Sequence, residues 1–346
     1  MSKVYGVDVG TMFFQVSKED NGKIRYKTIR NTFVELPDTG DTEELLENNN
    51  WQYVKDGDNY YVIGEEALKV ARLFPKIELR RPLQGGVLNP EEEKKMIVLA
   101  KMIESSIGKA DKDETSVVCT CVSSESVDDS VNSKMHQARL KSMFQRLGWD
   151  VKIIEEGMAV ILSERPVIEE DGKEIPFSGI GVSFGGGRTN LVLAYKGVQI
   201  LGFSVQMGGD WIDDQVVQQI NEPITKITSY KENELDFDNI DYDSDLCFAL
   251  DVFYGSLIEN VFNTFAEKFK KIDTQFDAPL EIVVAGGTSM PSGFVSKVKE
   301  VIDGIDLPFT IKDVKHAKDP RNTVARGLLA QAQAHALKLE KENSSD

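Results

Sequence analysis

Side chains that often carry chemistry are scarce in this sequence. Its 346 residues hold three histidines and three cysteines. Cys119, Cys121 and Cys247 cannot all pair, and the first two stand at the spacing of one strand face, which matches no common zinc-ligand pattern. Buried thiols, kept reduced in a cytoplasmic protein, are the expectation. His136, His316 and His335 lie far apart and none adjoins a nucleophile signature, so ordinary surface or helix positions are expected of them. Positive charge is outnumbered, with 40 Lys and Arg against 57 Asp and Glu and a net charge of −17. That balance argues against direct nucleic-acid binding, which needs a basic patch. No apolar run approaches the length that crosses a bilayer, Met1-Ser2-Lys3 leads straight into a strand pattern, and the tail after Leu339 lacks amphipathic character. No membrane anchor is expected.

What the sequence does have is one turn written twice. Val4-Tyr5-Gly6-Val7-Asp8-Val9-Gly10-Thr11 and Gly179-Ile180-Gly181-Val182-Ser183-Phe184-Gly185-Gly186-Gly187-Arg188-Thr189 both run from aliphatic residues into glycine. An extended run follows each, Phe13 to Val16 and Leu191 to Ala194, so both read strand, tight turn, strand. Glycines let backbone approach a ligand and leave consecutive N–H groups for an anion. A third pair, Gly286-Gly287-Thr288-Ser289-Met290, follows the short strand ending at Ala285, a setting suited to a base or ribose lying on backbone. G-x-G-x-x-G and G-x-x-x-x-G-K-[ST] are both absent, which sets aside Rossmann and Walker readings. Strands alternate with helices in each half, predicting two duplicated α/β lobes that grip one phosphate chain in a cleft.

Elsewhere, residues 51–54 and 60–63 predict a hairpin, and Asn89-Pro90 with Glu91, Glu92 and Glu93 predicts a capped helix start. The acidic stretch 235–246 lacks the glycine and terminal glutamate of a calcium loop and reads as a solvated segment.

These turns resemble the ATPase superfamily of actin, heat-shock chaperones and sugar kinases over nearly the whole chain. Residues 6–11 resemble its first phosphate motif, 182–189 its second and 282–294 its adenosine motif. Glu155-Glu156-Gly157-Met158-Ala159 is similar to the first connecting motif, with Gly157 in place of proline, and residues 319–327 to the second. Val62-Ile63-Gly64-Glu65-Glu66-Ala67, Arg81 to Leu88 and Gly208-Gly209-Asp210-Trp211-Ile212-Asp213 resemble the prokaryotic actin homologues MreB and MamK.

The resemblance implies an α/β, two-lobed actin-like ATPase fold. Residues 1–155 would form lobe I, with a subdomain near 34–75 and the helix 325–340 returning to it. Residues 156–324 would form lobe II, with an upper subdomain near 208–279. It also implies the site. Asp8 would organise Mg2+ through water, and Gly10, Thr11, Met12, Ser183, Gly185, Gly186, Gly187 and Arg188 would meet the phosphates. Glu156 would position the attacking water. Gly209, Asp213, Lys231 and Glu232 would meet ribose or adenine, with Gly286, Gly287, Thr288 and Met290 as base platform. ATP, or GTP in its place, would be bound.

Ser183 stands where the second phosphate motif begins with Asp, and Thr189-Asn190 where it ends Thr-Asp. A carboxylate lost from the magnesium and water shell predicts slow hydrolysis with nucleotide retained. The expected function is a cytoplasmic, polymerising cytoskeletal ATPase whose partners are copies of itself and a cargo adaptor protein. A weakly polymerising or non-polymerising ATP-binding scaffold of the FtsA or PilM type is the alternative, which Ser183 favours. A small-molecule kinase would need a base for a hydroxyl, and Ser183 removes one candidate.

Overall fold

The computed structural model describes residues 2–74, 76–88, 93–111, 113–128, 133–164, 168–170, 173–175, 177–272, 276 and 279–343. The helix start expected at Asn89-Pro90, with Glu91 and Glu92, lies outside the described residues, as does the tail beyond residue 343. Contacts divide the chain into two compact units. Unit 1 comprises Met1–Thr120, Lys134–Ile153 and Gln331–Asp346, and unit 2 comprises Cys121–Ser133 and Ile154–Ala330.

Unit 1 opens with β1 (Lys3–Val9), β2 (Phe13–Asp20) and β3 (Lys23–Arg30), an antiparallel meander. A small antiparallel sheet follows, made of β4 (Phe33–Pro37), β5 (Tyr53–Asp56) and β6 (Asn59–Ile63), with α1 (Thr42–Asn48) between β4 and β5. β5 and β6 are the expected hairpin, turning at Gly57 with φ of +57°, a conformation that suits glycine. The aromatic and aliphatic residues of this sheet, Tyr60 and Val62 among them, cover α2 (Glu65–Leu73) with its buried Ala67 and Val70. A two-residue ribbon, β7 (Leu83–Gln84) and β8 (Val87–Leu88), leads to α3 (Glu93–Ile107), β9 (Ser116–Val122), α4 (Ser133–Arg146) and β10 (Asp150–Glu155). β9 pairs parallel with β1, giving the order β10-β9-β1-β2-β3. Its residues are buried throughout, Cys119 and Cys121 included, as a strand covered on both faces requires. His136, expected at a surface or helix position, lies buried in helix α4, and its Nδ1 accepts the Leu88 N–H at 3.1 Å.

Unit 2 repeats the plan. After α5 (Glu156–Glu164) and a ribbon of β11 (Ile168–Glu170) and β12 (Lys173–Ile175) come β13 (Gly179–Phe184), β14 (Thr189–Tyr195) and β15 (Val198–Val205). Three helices follow, α6 (Gly209–Ile220), α7 (Ile224–Asn233) and α8 (Asp245–Phe269), then β16 (Leu280–Ala285), α9 (Phe294–Asp303), β17 (Ile311–His316) and α10 (Thr323–Asn343). The sheet order is β17-β16-β13-β14-β15, with β16 parallel to β13 and β14 antiparallel. Position for position this is the order of the first sheet, so each unit carries the same strand meander and the same parallel crossover. The core gathers Phe184, Tyr254 and Phe294 from three elements, with ring centroids of Phe184 and Phe294 5.0 Å apart. Emptying one such position, as in Phe294→Ala, costs about 3–5 kcal/mol. In the acidic stretch, Asp236 accepts the Asp238 N–H as the cap of a short 3-10 turn, and Ser244 caps α8.

Close packing explains where glycine is required. A Cβ on Gly157 would come 2.9 Å from the Val192 nitrogen, and one on Gly181 would come 2.5 Å from the Gly157 oxygen. α5 therefore lies directly on β13 and β14, and the proline usual at position 157 in the resembling family would not fit this contact. A Cβ on Gly327 would meet the Ala159 oxygen at 1.8 Å, so the first half of α10 crosses α5 backbone to backbone.

Candidate functional site

The two glycine turns share one main-chain geometry. Gly10 N–H donates to the Phe13 oxygen at 3.0 Å, and Gly185 N–H donates to the Arg188 oxygen at 3.0 Å. A Cβ would meet the same acceptor at 2.8 Å in the first turn and 2.7 Å in the second, which explains glycine at both positions. The carbonyls of each turn are held from outside it. In unit 1, Asn31 Nδ2 donates to the Gly10 oxygen at 2.8 Å. In unit 2, Gly209 N–H and Thr288 Oγ1 donate to the Gly185 oxygen at 3.0 and 2.8 Å, and Asp210 N–H donates to the Gly186 oxygen at 2.8 Å. The N–H groups of Gly186 and Gly187 meet no acceptor among the described residues. Two adjacent donors without partners, on a turn whose carbonyls are anchored elsewhere, are the arrangement an anion could use.

A carboxylate stands beside each turn. The Cβ direction of Gly10 passes 3.9 Å from Asp8 Oδ1, and that of Gly185 passes 4.0 Å from Glu156 Oε1. Glu156 is the first residue of α5, where the helix dipole favours an anion. Both its oxygens are held: Ser183 Oγ donates to Oε1 at 2.6 Å and Asn190 Nδ2 to Oε2 at 2.8 Å. Ser183 and Asn190 are directly opposed in the β13–β14 register. The Ser124 N–H donates to Asn190 Oδ1 at 3.1 Å, which fixes the amide orientation and turns Nδ2 towards Glu156.

The unit 2 residues expected on the nucleoside side cluster on the same turn. Gly286, with φ of +96°, packs so tightly under Phe184 that a Cβ would lie 2.3 Å from the Phe184 oxygen. Gly287 beside it faces open space, and Met290 is exposed. Lys231 and Asp213 are buried as a pair at 2.6 Å. Lys231 also donates to the Gly209 oxygen at 2.7 Å, and Thr228 to Asp213 Oδ2 at 2.7 Å. Burial pushes the Asp213 carboxyl above its usual range, against the pull of Lys231 and Thr228. Ser289 Oγ donates to the Gly286 oxygen at 2.7 Å and lies 3.0 Å from His316 Nε2, whose pKa burial lowers.

Unit 2 thus brings together Glu156, Ser183, Gly185 to Gly187, Gly209, Asp213, Lys231, Gly286 and Thr288. Glu232 stands apart, exposed on α7. The Arg188 guanidinium is buried and donates to Ser126 Oγ at 2.8 Å and Ser204 Oγ at 3.3 Å, so a role towards an anion falls to its main chain. In unit 1, Thr11 Oγ1 accepts the Gly86 N–H at 3.0 Å, and Met12 Sδ lies 3.3 Å from Arg30 Nη1. Asn190 and Ser124 were not among the residues expected to act at the site. Asn190 carried a signal only as the departure from the Thr-Asp end of the second phosphate motif, whereas Ser124 carried none.

This architecture is the actin-like α/β fold. The protein solved as a MamK double helical filament matches with a TM-score of 0.69 at 19% identity, over 96% of this chain and 99% of that one. MreB 5 of Spiroplasma citri bound to AMPPNP matches with a TM-score of 0.66 at 16% identity, over 98% of each chain, and the same protein bound to ADP with 0.67. No curated protein matches the sequence. The family model described as Volactin matches residues 3–332, and the chain belongs to the Volactin family.

Proposed function

We infer that this protein is a nucleotide-dependent polymerising protein that binds ATP with magnesium, hydrolyses it slowly and assembles with copies of itself into filaments in the cytoplasm. The observation that carries this reading is the duplicated glycine turn with a carboxylate beside each copy. Unpartnered N–H groups at Gly186 and Gly187 suit phosphate oxygens. Likeness in fold to a filament protein and to an AMPPNP-bound protein supports the assignment of ligand and assembly.

Asp8 supplies the hard oxygen that suits magnesium, held through water, and the ion when bound offsets charge on the phosphate oxygens. In unit 2, Gly186 and Gly187 bind phosphate oxygens through their main-chain donors, and in unit 1 the turn at Thr11 and Met12 is the corresponding phosphate-binding segment. Gly286 to Met290, with Gly209, presents backbone to the nucleoside, and the Asp213–Lys231 pair fixes that backbone through the Gly209 oxygen. In hydrolysis, a water oxygen bonds to the γ-phosphorus while the bridging P–O bond breaks and its electron pair stays on ADP. Glu156 orients that water and accepts its proton, so the products are ADP and phosphate.

The test is assembly of the full chain followed by light scattering and negative-stain microscopy, with ATP and magnesium, with ADP, and without nucleotide. Filaments with ATP, and their persistence in Glu156→Gln, are the expected result. Tight ATP binding with no assembly across salt and protein concentration would replace this reading with the scaffold one. No ATP binding would refute both.

A further inference from the structure

The geometry points to Ser183 and Asn190 as positioning residues that hold the Glu156 carboxylate against the Gly185 turn, in a unit whose strand lacks the carboxylate that Asp8 gives unit 1. This rests on the proposed ATPase reading and deepens it. The two turns superpose in sequence with Gly10 on Gly185, which places Asp8 on Ser183 and Gln15 on Asn190. Both pairs are opposed in their strand registers, Asp8 with Gln15 and Ser183 with Asn190. In unit 1 the strand itself delivers a carboxyl oxygen, Asp8 Oδ1, 3.9 Å from the Gly10 Cβ direction. In unit 2 the strand delivers a hydroxyl, and the carboxyl oxygen found at 4.0 Å is Glu156 Oε1, brought in from α5.

Serine and asparagine suit this arrangement because both are donors. Ser183 Oγ and Asn190 Nδ2 reach the two Glu156 oxygens at 2.6 and 2.8 Å, and a carboxylate accepts at both. An aspartate at either position would aim an acceptor at an acceptor across the same distance and set two like charges in contact. At position 190 the orientation is forced, since Ser124 N–H already occupies the other side-chain oxygen. In this chain positions 183 and 190 both supply donors to the one carboxylate of Glu156.

The test is steady-state ATP hydrolysis by the full chain, comparing Ser183→Ala and Asn190→Ala alone and in a Glu156→Gln background. Each single change should lower kcat by about tenfold, the scale of a charge-assisted hydrogen bond, while KM for ATP stays near its wild-type value. In the Glu156→Gln background neither should lower kcat further, because both act through that carboxylate. Ser183→Asp and Asn190→Asp, which restore the acids usual in the resembling family, should slow the reaction as well. Losses that add to that of Glu156→Gln, or a faster Ser183→Asp enzyme, overturn the inference.

If the wild type releases no phosphate, the ATPase reading fails, and infrared difference spectra decide the positioning claim without turnover. Asn190→Asp puts two carboxyl groups on one contact, so they share a proton, and a protonated-carboxyl band appears that Asn190→Asp with Glu156→Gln lacks. Absence of that band overturns the inference.

Discussion

Replacing Lys231 by methionine separates the electrostatics of the buried α6–α7 pair from its packing. The side chains of Lys231 and Asp213 are 8% and 3% exposed, and Lys231 Nζ serves both Asp213 Oδ1 at 2.6 Å and the Gly209 oxygen at 2.7 Å. Methionine keeps most of the volume, so packing loss is minor. Asp213 is left buried with only Thr228 as partner, and breaking a buried pair in this way costs about 3–5 kcal/mol. Protonation is the escape. Burial already raises the Asp213 carboxyl above 3.8, and removing Lys231 takes away the largest opposing influence. Between the unfolded value and that raised folded value, the folded state binds one more proton than the unfolded state. Stability therefore falls as pH rises through this window and returns on acidification, by about 1.4 kcal/mol per pH unit. Urea denaturation of Lys231→Met at pH 7 and pH 5 should show a large loss that shrinks at the lower pH. Asp213→Asn with Lys231→Met should recover much of the loss at pH 7. A deficit below about 1 kcal/mol, or one that acidification leaves unchanged, would refute the reasoning.

Gly327→Ala sets a methyl 1.8 Å from the Ala159 oxygen. It should lower stability by at least about 3 kcal/mol by forcing α10 off α5, which calorimetry reads directly. Tyr254→Phe should be neutral or stabilising in denaturant titrations, since the Tyr254 hydroxyl is buried without a hydrogen-bond partner among the described residues. His316 is held neutral by burial, its pKa lowered from 6.5. This group contributes stability that is lost as pH falls below its unfolded value, and His316→Gln should flatten that part of the pH–stability curve. The Cys119 thiol is pushed up to about 12 by burial, so it should resist a thiol reagent in the native chain and react once the chain is unfolded in urea.

The elements legible in the sequence were those whose signal is local. Aliphatic runs ending in glycine gave β1 and β13, and the 55–59 turn gave β5 and β6, because backbone requirements at Gly10, Gly185 and Gly57 are met within a few residues. Glu156 opened its helix as read, since the cue was a short acidic motif at a strand end. What stayed hidden depended on register. The Ser183–Asn190 opposition requires knowing how β13 lies on β14, and the Ser124 N–H that orients Asn190 comes from 66 residues away. The side-chain partners of Arg188 were hidden for the same reason: its acceptors Ser126 and Ser204 are distant in sequence. His136 was expected at an ordinary surface or helix position and lies in a helix, but nothing nearby announces the Leu88 N–H that it accepts.

The repeat itself bears on the slow hydrolysis proposed for this chain. Where the sequence alone suggested a missing carboxylate at position 183, the structure places Oε1 of Glu156, already expected at the site, 4.0 Å from a Cβ built on Gly185. Of Glu156, Ser183 and Asn190 only the helix residue carries charge, and the strand pair beneath it is neutral. A carboxylate on β13 would be fixed by the sheet, whereas one on α5 depends on the helix start and on two donors to keep its aim. Tight packing at Gly157 and Gly181 makes that dependence workable, because it locks the first turn of α5 onto β13 and β14. Gly157→Ala should then act at a distance from any ligand. By lifting the first turn of α5 it should lower kcat with little change in ATP affinity, and it should remove the sensitivity of kcat to Ser183→Ala. Measured rates that respond to Ser183→Ala equally in both backgrounds would show that the aim of Glu156 does not depend on where α5 sits.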